Sequence, residues 1–290
     1  MDLEILKSIQ LLRSAFADGF FSAVTFMGTD TFVFLLVCAL FWCIDRRAGE
    51  MVVFSLFVSF CANNILKDII KRPRPIGVEG VHTDARELEG VKISAGGYPY
   101  SWSFPSGHAQ GSASFFTAAA VWIKRRWATF VAAIAVLLVM LSRVYLGVHY
   151  PSDVVAGAVL GVGLTVLSIY IFNKFYSKRF FIYFSLAAML LPVLLFCTDD
   201  TAKALGGLGG FAVGMLLEER YVGFKTDGRL LMRIIRLALG VALLMLIRLG
   251  LKELFVLIHP GSAVLEYIRY FAILFTASFA WPWVFTRLKV

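Results

Sequence analysis

A succession of long apolar runs, broken only by short charged stretches, limits what this chain can fold into. Inside a bilayer the backbone has no water to bond, and a helix of about 20 residues satisfies its polar groups within one segment. Hydrophobic residues make up 59% of the 290 and charged residues 16%, where a soluble domain carries about 25% charged. The predicted fold class is all-α: a polytopic membrane helix bundle of about nine transmembrane helices. Their predicted limits are residues 31–44, 50–71, 106–123, 127–143, 151–173, 180–197, 202–217, 230–250 and 265–286. Residues 1–18 mix charges with Leu3, Ile5, Leu6 and Ile9, which predicts an amphipathic helix at the interface. Gly19–Ile44 is uncharged except for Asp30. We read it as a short inserted segment, a break at Gly28-Thr29-Asp30 and a span. Asp30 is then a helix cap, since a lone carboxylate inside a span is costly.

The net charge of +9 does not point to nucleic acid, because the Lys and Arg residues sit in loops between apolar runs, a mark of membrane topology. Loops near 45–50, 124–127, 174–180 and 218–236 are short and basic. They and the C-terminus are assigned to the cytoplasm, and residues 67–108 and 143–153 to the extracytoplasmic (periplasmic, extracellular or luminal) face. Asp2 and Glu4 stand where a secretory signal would be basic, so the N-terminus is read as retained. Cys38, Cys43, Cys61 and Cys197 lie in or beside apolar runs without metal-type spacing and read as small buried hydrophobes. The chain is divided into 1–179, with the catalytic core in spans two to five, and 180–290, a four-helix membrane extension. That extension is a candidate to widen a substrate groove, form a homodimer interface or bind a partner. Gly206–Gly214 reads as close packing by small residues. Glu218-Glu219-Arg220 read as a helix end, Arg248 and Arg269 as snorkelling cations, His82 and the loop acids as solvated, and His259-Pro260 as a turn.

One face gathers the unusual residues. Lys67 and Arg74, seven apart at the end of span two, fall on one side of a helix if it continues through them. Arg72-Pro73-Arg74-Pro75 then ends it. Residues 76–103 form a long polar loop ending in the aromatic stretch Tyr98–Trp102, read as a lid or rim at headgroup level. Phe104-Pro105-Ser106-Gly107-His108 opens span three with proline and serine as helix-start residues and a glycine that admits close approach. A helix start offers N–H groups and the positive dipole end to an anion. Arg143 closes span four with a guanidinium suited to phosphate. His149 and Asp153 open span five, four apart, so that the carboxylate can fix the imidazole tautomer and leave the other nitrogen free to attack. Together they form an anion cradle with two histidines and no metal ligand set, an inventory for phosphoryl transfer. These residues alone leave open which histidine attacks.

Lys67–Pro75 reads K-x6-R-P, Pro105–His108 reads P-S-G-H, and Ser142–Asp153 reads S-R-x5-H-x3-D. In this order they resemble the three signature motifs of the type 2 phosphatidic acid phosphatase superfamily, which also contains vanadium haloperoxidases and glucose-6-phosphatase. The resemblance implies a metal-independent phosphatase without cofactor. His149 would be the nucleophile, Asp153 would orient it, and His108 would be the acid and then the base. Lys67, Arg74, Ser106, Gly107 and Arg143 would bind phosphate oxygens.

A site at a membrane edge beside apolar helices suits a lipid whose tail stays in the bilayer. The expected substrate is a phospholipid phosphate or prenyl phosphate, as a monoester or pyrophosphate. The alternatives are a soluble sugar phosphate and, in another class, transport of lipid phosphates or anions. Transporter sites lie near the midplane in broken helices, whereas these motifs lie at span ends.

Overall fold

The computed structural model describes residues 1–83, 102–190, 199–259 and 261–288, and every regular element among them is helical. Much of the expected lid, including Tyr98 to Ser101, lies outside the described residues, as does Cys197. In chain order the helices are α1 (Asp2–Gln10), α2 (Ala15–Phe26), α3 (Asp30–Ala39, running into a π-helical turn Leu40–Ile44), α4 (Arg46–Ile70), α5 (Gly107–Ile123) and α6 (Arg126–Tyr145). Then come α7 (Pro151–Lys174), α8 (Arg179–Leu190), α9 (Asp199–Tyr221), α10 (Leu230–Ile258), α11 (Ala263–Phe275, followed by a π-helical turn Thr276–Ala280) and α12 (Trp281–Leu288).

Five helical stretches among the described residues are long and apolar enough to cross a bilayer: α4, α6, α7, α10 and the run Ala263–Leu288. The α2–α3 pair, bent by 48°, makes a sixth if it counts as one broken span. At 17 residues α5 reaches about 25 Å, near the short limit of a span. The fold is thus an all-helical membrane protein.

The chain forms two compact units, residues 1–34 with 54–170, and residues 35–53 with 171–290. In the first unit the expected interfacial helix is two helices. The chain turns at Leu11–Arg13, and the Ser14 hydroxyl accepts the Ala17 N–H to start α2. The break before α3 falls where it was expected, but its cap is different. The Thr29 hydroxyl accepts the Phe32 N–H at 3.3 Å, while Asp30 lies in the first turn. α4 ends at Ile70, because Lys71 adopts φ +51° ahead of Arg72-Pro73. Arg74 is therefore not on the helix, and the proposed one-sided alignment with Lys67 does not form. Leu6, Ala109, Val144 and Val154 make a buried cluster joining α1, α5, α6 and α7. α7 packs closely on α5: a Cβ on Gly157 would lie 2.6 Å from the Ser106 carbonyl oxygen, and one on Gly161 2.5 Å from that of Gln110. This glycine pair at i and i+4 brings the two motif-bearing helix starts together.

The second unit is built on glycine and buried charge. Cβ atoms on Gly206 and Gly210 would lie 2.1 and 2.2 Å from the carbonyl oxygens of Tyr267 and Phe271, so α9 packs backbone to backbone on α11, as expected from the glycine cluster. Glu218 is buried, contrary to its reading as a plain helix end: it pairs with Arg46 and accepts the Phe224 N–H. Nearby, Arg179 binds Glu50 at 2.9 Å and also Glu219, and Tyr183 donates to Glu50 at 3.0 Å. Arg269 is likewise buried and paired with Glu266 at 2.6 Å rather than snorkelling. Inside a membrane protein such charges persist only when paired in this way. Cys38, Cys43 and Cys61 are buried free thiols.

Candidate active site

Every predicted site residue lies in the first unit. A buried amide–hydroxyl network sets the helix start of α5 on α4. Asn63 donates to the Pro105 carbonyl at 3.2 Å and to Gln110 Oε1 at 2.8 Å, and Gln110 donates to Ser59. The Ser106 N–H is held by the Asp153 carbonyl at 3.0 Å. Serine was expected to cap α5, but its hydroxyl makes no capping bond. Ser106 Oγ is buried and has no hydrogen-bond partner among the described residues. A buried hydroxyl in that condition is costly unless something else occupies the site. Beside it, a Cβ on Gly107 would lie 3.6 Å from Lys67 Nζ. Glycine therefore keeps open the space in front of that ammonium.

Gly147, at φ +72°, makes the turn that leads from α6 to His149, and a Cβ there would lie 2.4 Å from the His82 carbonyl oxygen. His149 is 1% exposed. Its Nδ1 is 3.7 Å from Asp153 Oδ2, too far for the direct bond expected from the spacing. Ser103 fills the gap. Its Oγ lies 3.3 Å from His149 Nδ1 and donates to Asp153 Oδ2 at 2.5 Å. Asp153 is further held by Arg72 at 2.7 Å and by the Tyr150 N–H at 3.0 Å. Ser103 and Arg72 are the site residues that motif reading missed. Ser103 precedes P-S-G-H by two positions and Arg72 precedes Arg74 by two, but nothing in the spacing assigned them a partner.

On the other side of the ring, Arg74 Nη1 lies 3.3 Å from His149 Nε2. A guanidinium only donates, so this contact puts the imidazole lone pair on Nε2 and the proton on Nδ1, which then donates to Ser103. Burial first, then Arg74, Arg143, Lys67 and His108, hold the His149 ring well below its ordinary pKa. The imidazole is thus neutral, with its basic nitrogen turned toward the cations. Arg143, 3% exposed, is braced by Thr25 Oγ1 at 2.6 Å. A Cβ on Gly28 would lie 3.2 Å from His108 Cβ and 3.3 Å from its ring Cδ2. The arrangement can receive a tetrahedral oxyanion in front of a neutral imidazole with a second histidine beside it.

Two family models match the chain. "PAP2 superfamily" matches residues 48–177, and "PAP2 superfamily phosphatase, transmembrane extension" matches residues 202–290. Phosphatidylglycerophosphatase B of Bacillus subtilis is 26% identical over 57% of this chain and 80% of its own length. Lipid A 1-phosphatase of Rhizobium johnstonii is 36% identical over 43% of this chain, which spans about half (48%) of that relative. Undecaprenyl-diphosphatase of Sulfolobus acidocaldarius is 28% identical over 59% of this chain and 78% of its own length. With one model on the motif-bearing helices and the other on the C-terminal helices, the chain belongs to the PAP2 superfamily of membrane phosphatases.

Proposed function

We propose that the chain hydrolyses a lipid phosphate monoester or pyrophosphate through a phosphohistidine on His149, without a metal. The observation that carries this reading is the buried His149 ring with Nε2 3.3 Å from Arg74 Nη1, where burial and the surrounding cations favour its neutral form. An incoming phosphate draws Arg74, Lys67 and Arg143 onto its oxygens, together with the Ser106 hydroxyl and first-turn N–H groups from Gly107 onward. Nε2 then attacks phosphorus. The P–O bond to the lipid breaks, and His108 gives its proton to the departing oxygen. Water next attacks phosphorus while His108 takes its proton; the new P–O bond forms as the P–N bond breaks, its electron pair returns to Nε2, and inorganic phosphate leaves with His149 restored. Asp153 acts through Ser103, stabilising the proton on Nδ1 as positive charge develops on the ring.

The lipid assignment draws on the relatives, whose names specify phosphatidylglycerophosphate, lipid A and undecaprenyl diphosphate chemistry. It is also supported by the apolar helices that carry the site. We further read nine spans, with the active site extracytoplasmic, the C-terminus cytoplasmic, and residues 180–290 as an extension outside the catalytic core. The test is phosphate release by the purified protein from phosphatidate, phosphatidylglycerophosphate, a prenyl pyrophosphate and glucose 6-phosphate. We expect turnover of lipid substrates, inhibition by vanadate, insensitivity to EDTA, and loss of turnover in folded H149A and H108A. Hydrolysis by H149A at near wild-type rate refutes the mechanism, and preference for glucose 6-phosphate refutes the substrate class.

A further inference from the structure

The PAP2 model begins at residue 48, yet three residues before it touch three different parts of the site. Asp2 Oδ2 accepts from Arg72 Nη2 at 2.8 Å and from the Ser152 hydroxyl at 2.5 Å. The same guanidinium reaches Asp153 and Ser152 through Nη1 and lies 4.2 Å from the Tyr150 ring centroid. Thr25 Oγ1 receives Arg143 Nη1 at 2.6 Å. Gly28 stands where a Cβ would come within 2.8 Å of Val139 Cγ1 and 3.2 Å of His108 Cβ. The segment is anchored independently of these contacts. Gln10 donates to the carbonyls of His82 and Tyr145, at 2.7 and 2.9 Å, and Tyr145 donates to Asp18 at 2.7 Å.

We propose that residues 1–30 are a positioning element of the active site, in which Asp2 sets Asp153 through Arg72, Thr25 sets the Arg143 guanidinium, and Gly28 seats the His108 ring. This rests on the phosphohistidine reading and assigns each contact a different kinetic consequence. Asp2 fixes one end of Arg72, so the other end stays on the carboxylate that steadies the His149 tautomer. Thr25 holds a long cation in one rotamer, which lowers the entropy lost when a phosphate oxygen binds. Gly28 defines how near the proton donor stands to the leaving oxygen, where a displacement of about 1 Å costs on the order of a hundredfold.

The test compares D2N, T25V and G28A in the full-length protein, with wild type and H149A as controls. Three readouts are taken: kcat for a lipid phosphate, kcat for p-nitrophenyl phosphate, and vanadate affinity by thermal shift. The nitrophenolate departs without needing a proton, so it bypasses the general acid. We expect D2N to lower both kcat values about tenfold with vanadate affinity unchanged. T25V should weaken vanadate about tenfold while T25S does not, the change expected for one charge-assisted bond. G28A should slow the lipid substrate at least about tenfold more than the nitrophenyl ester. Three variants that lower all readouts together, in step with lost folded protein, overturn the proposal, as do three variants indistinguishable from wild type. Turnover retained by H149A refutes the reaction instead. The vanadate arm does not require turnover, so Thr25 is tested in either case.

Discussion

Removing the Ser103 hydroxyl isolates the link between His149 and its carboxylate. In S103A, Asp153 keeps Arg72 at 2.7 Å and the Tyr150 N–H at 3.0 Å, so the carboxylate stays in place. His149 Nδ1 loses its bridge and faces Oδ2 across 3.7 Å. A direct bond requires about 2.9 Å, so the ring would have to move by about 0.8 Å. Ser103, His149 and Asp153 are 0%, 1% and 0% exposed, and packed interiors do not close such gaps freely. The lost interaction, a hydrogen bond ending on a charged group, is worth about 1.5–3 kcal/mol. At about 1.4 kcal/mol per tenfold, kcat should fall about 10- to 150-fold. Vanadate affinity should hold, because Ser103 faces the side of the ring away from Arg74. The assay is single-turnover release of phosphate from a lipid substrate in detergent micelles, with thermal unfolding as the check on folding. A kcat within about twofold of wild type would show that the bridge does nothing for the reaction. An equal loss of vanadate binding would show that Ser103 shapes the cradle and does not act through the ring.

Ser106→Ala should weaken vanadate inhibition about tenfold while leaving the melting temperature unchanged or raised, because its buried hydroxyl has no hydrogen-bond partner among the described residues; a destabilised protein with normal inhibition would contradict this. His149 is held below its ordinary pKa by burial and by Arg74, Arg143 and Lys67. The acid limb of kcat/KM set by the nucleophile should therefore lie below about pH 6.5, and a limb at or above that value would exclude a neutral resting imidazole. The same sign governs stability: the neutral ring's contribution is complete above the unfolded-state value and is lost as pH falls through the lower folded-state one. In the second unit, Gly210→Ala places a methyl 2.2 Å from the Phe271 carbonyl. That should cost about 1–3 kcal/mol of overpacking, read as a lower melting temperature; an unchanged one would mean that α9 and α11 separate freely.

Most motif residues were legible because they belong to helix ends, while Arg74 and His149 lie in the connections just beyond or before them. Lys67 closes α4, Pro105-Ser106 open α5, Arg143 closes α6 and Pro151 opens α7, and proline, serine and charge announce such ends in any apolar sequence. What was not legible depends on contacts far apart in the chain. The four-residue step from His149 to Asp153 suggested a direct bond, and only Ser103, placed by the turn ahead of α5, shows that the bond runs through a hydroxyl. Asp2 looked like one charge in an interfacial helix, and its tie to Arg72 spans 70 positions. Glu218 reads as a helix-end acid because the partner that justifies its burial, Arg46, belongs to another helix. The Gly157–Gly161 pair was hidden inside an unbroken apolar run, where glycine gives no contrast in hydropathy.

The contact between Arg74 and His149 Nε2 also bears on which molecules the site can process. Arg74 Nη1 stands 3.3 Å from His149 Nε2, so on the proposed mechanism the guanidinium covers the nitrogen that attacks. A neutral carboxylic ester offers that guanidinium nothing better than imidazole, so it finds the nitrogen shielded. On the same mechanism a phosphate dianion competes for the cation and uncovers Nε2 by the act of binding. On the proposed mechanism, recognition and arming are then the same event, and acyl groups of the surrounding lipids, which carry no such charge, leave the contact closed.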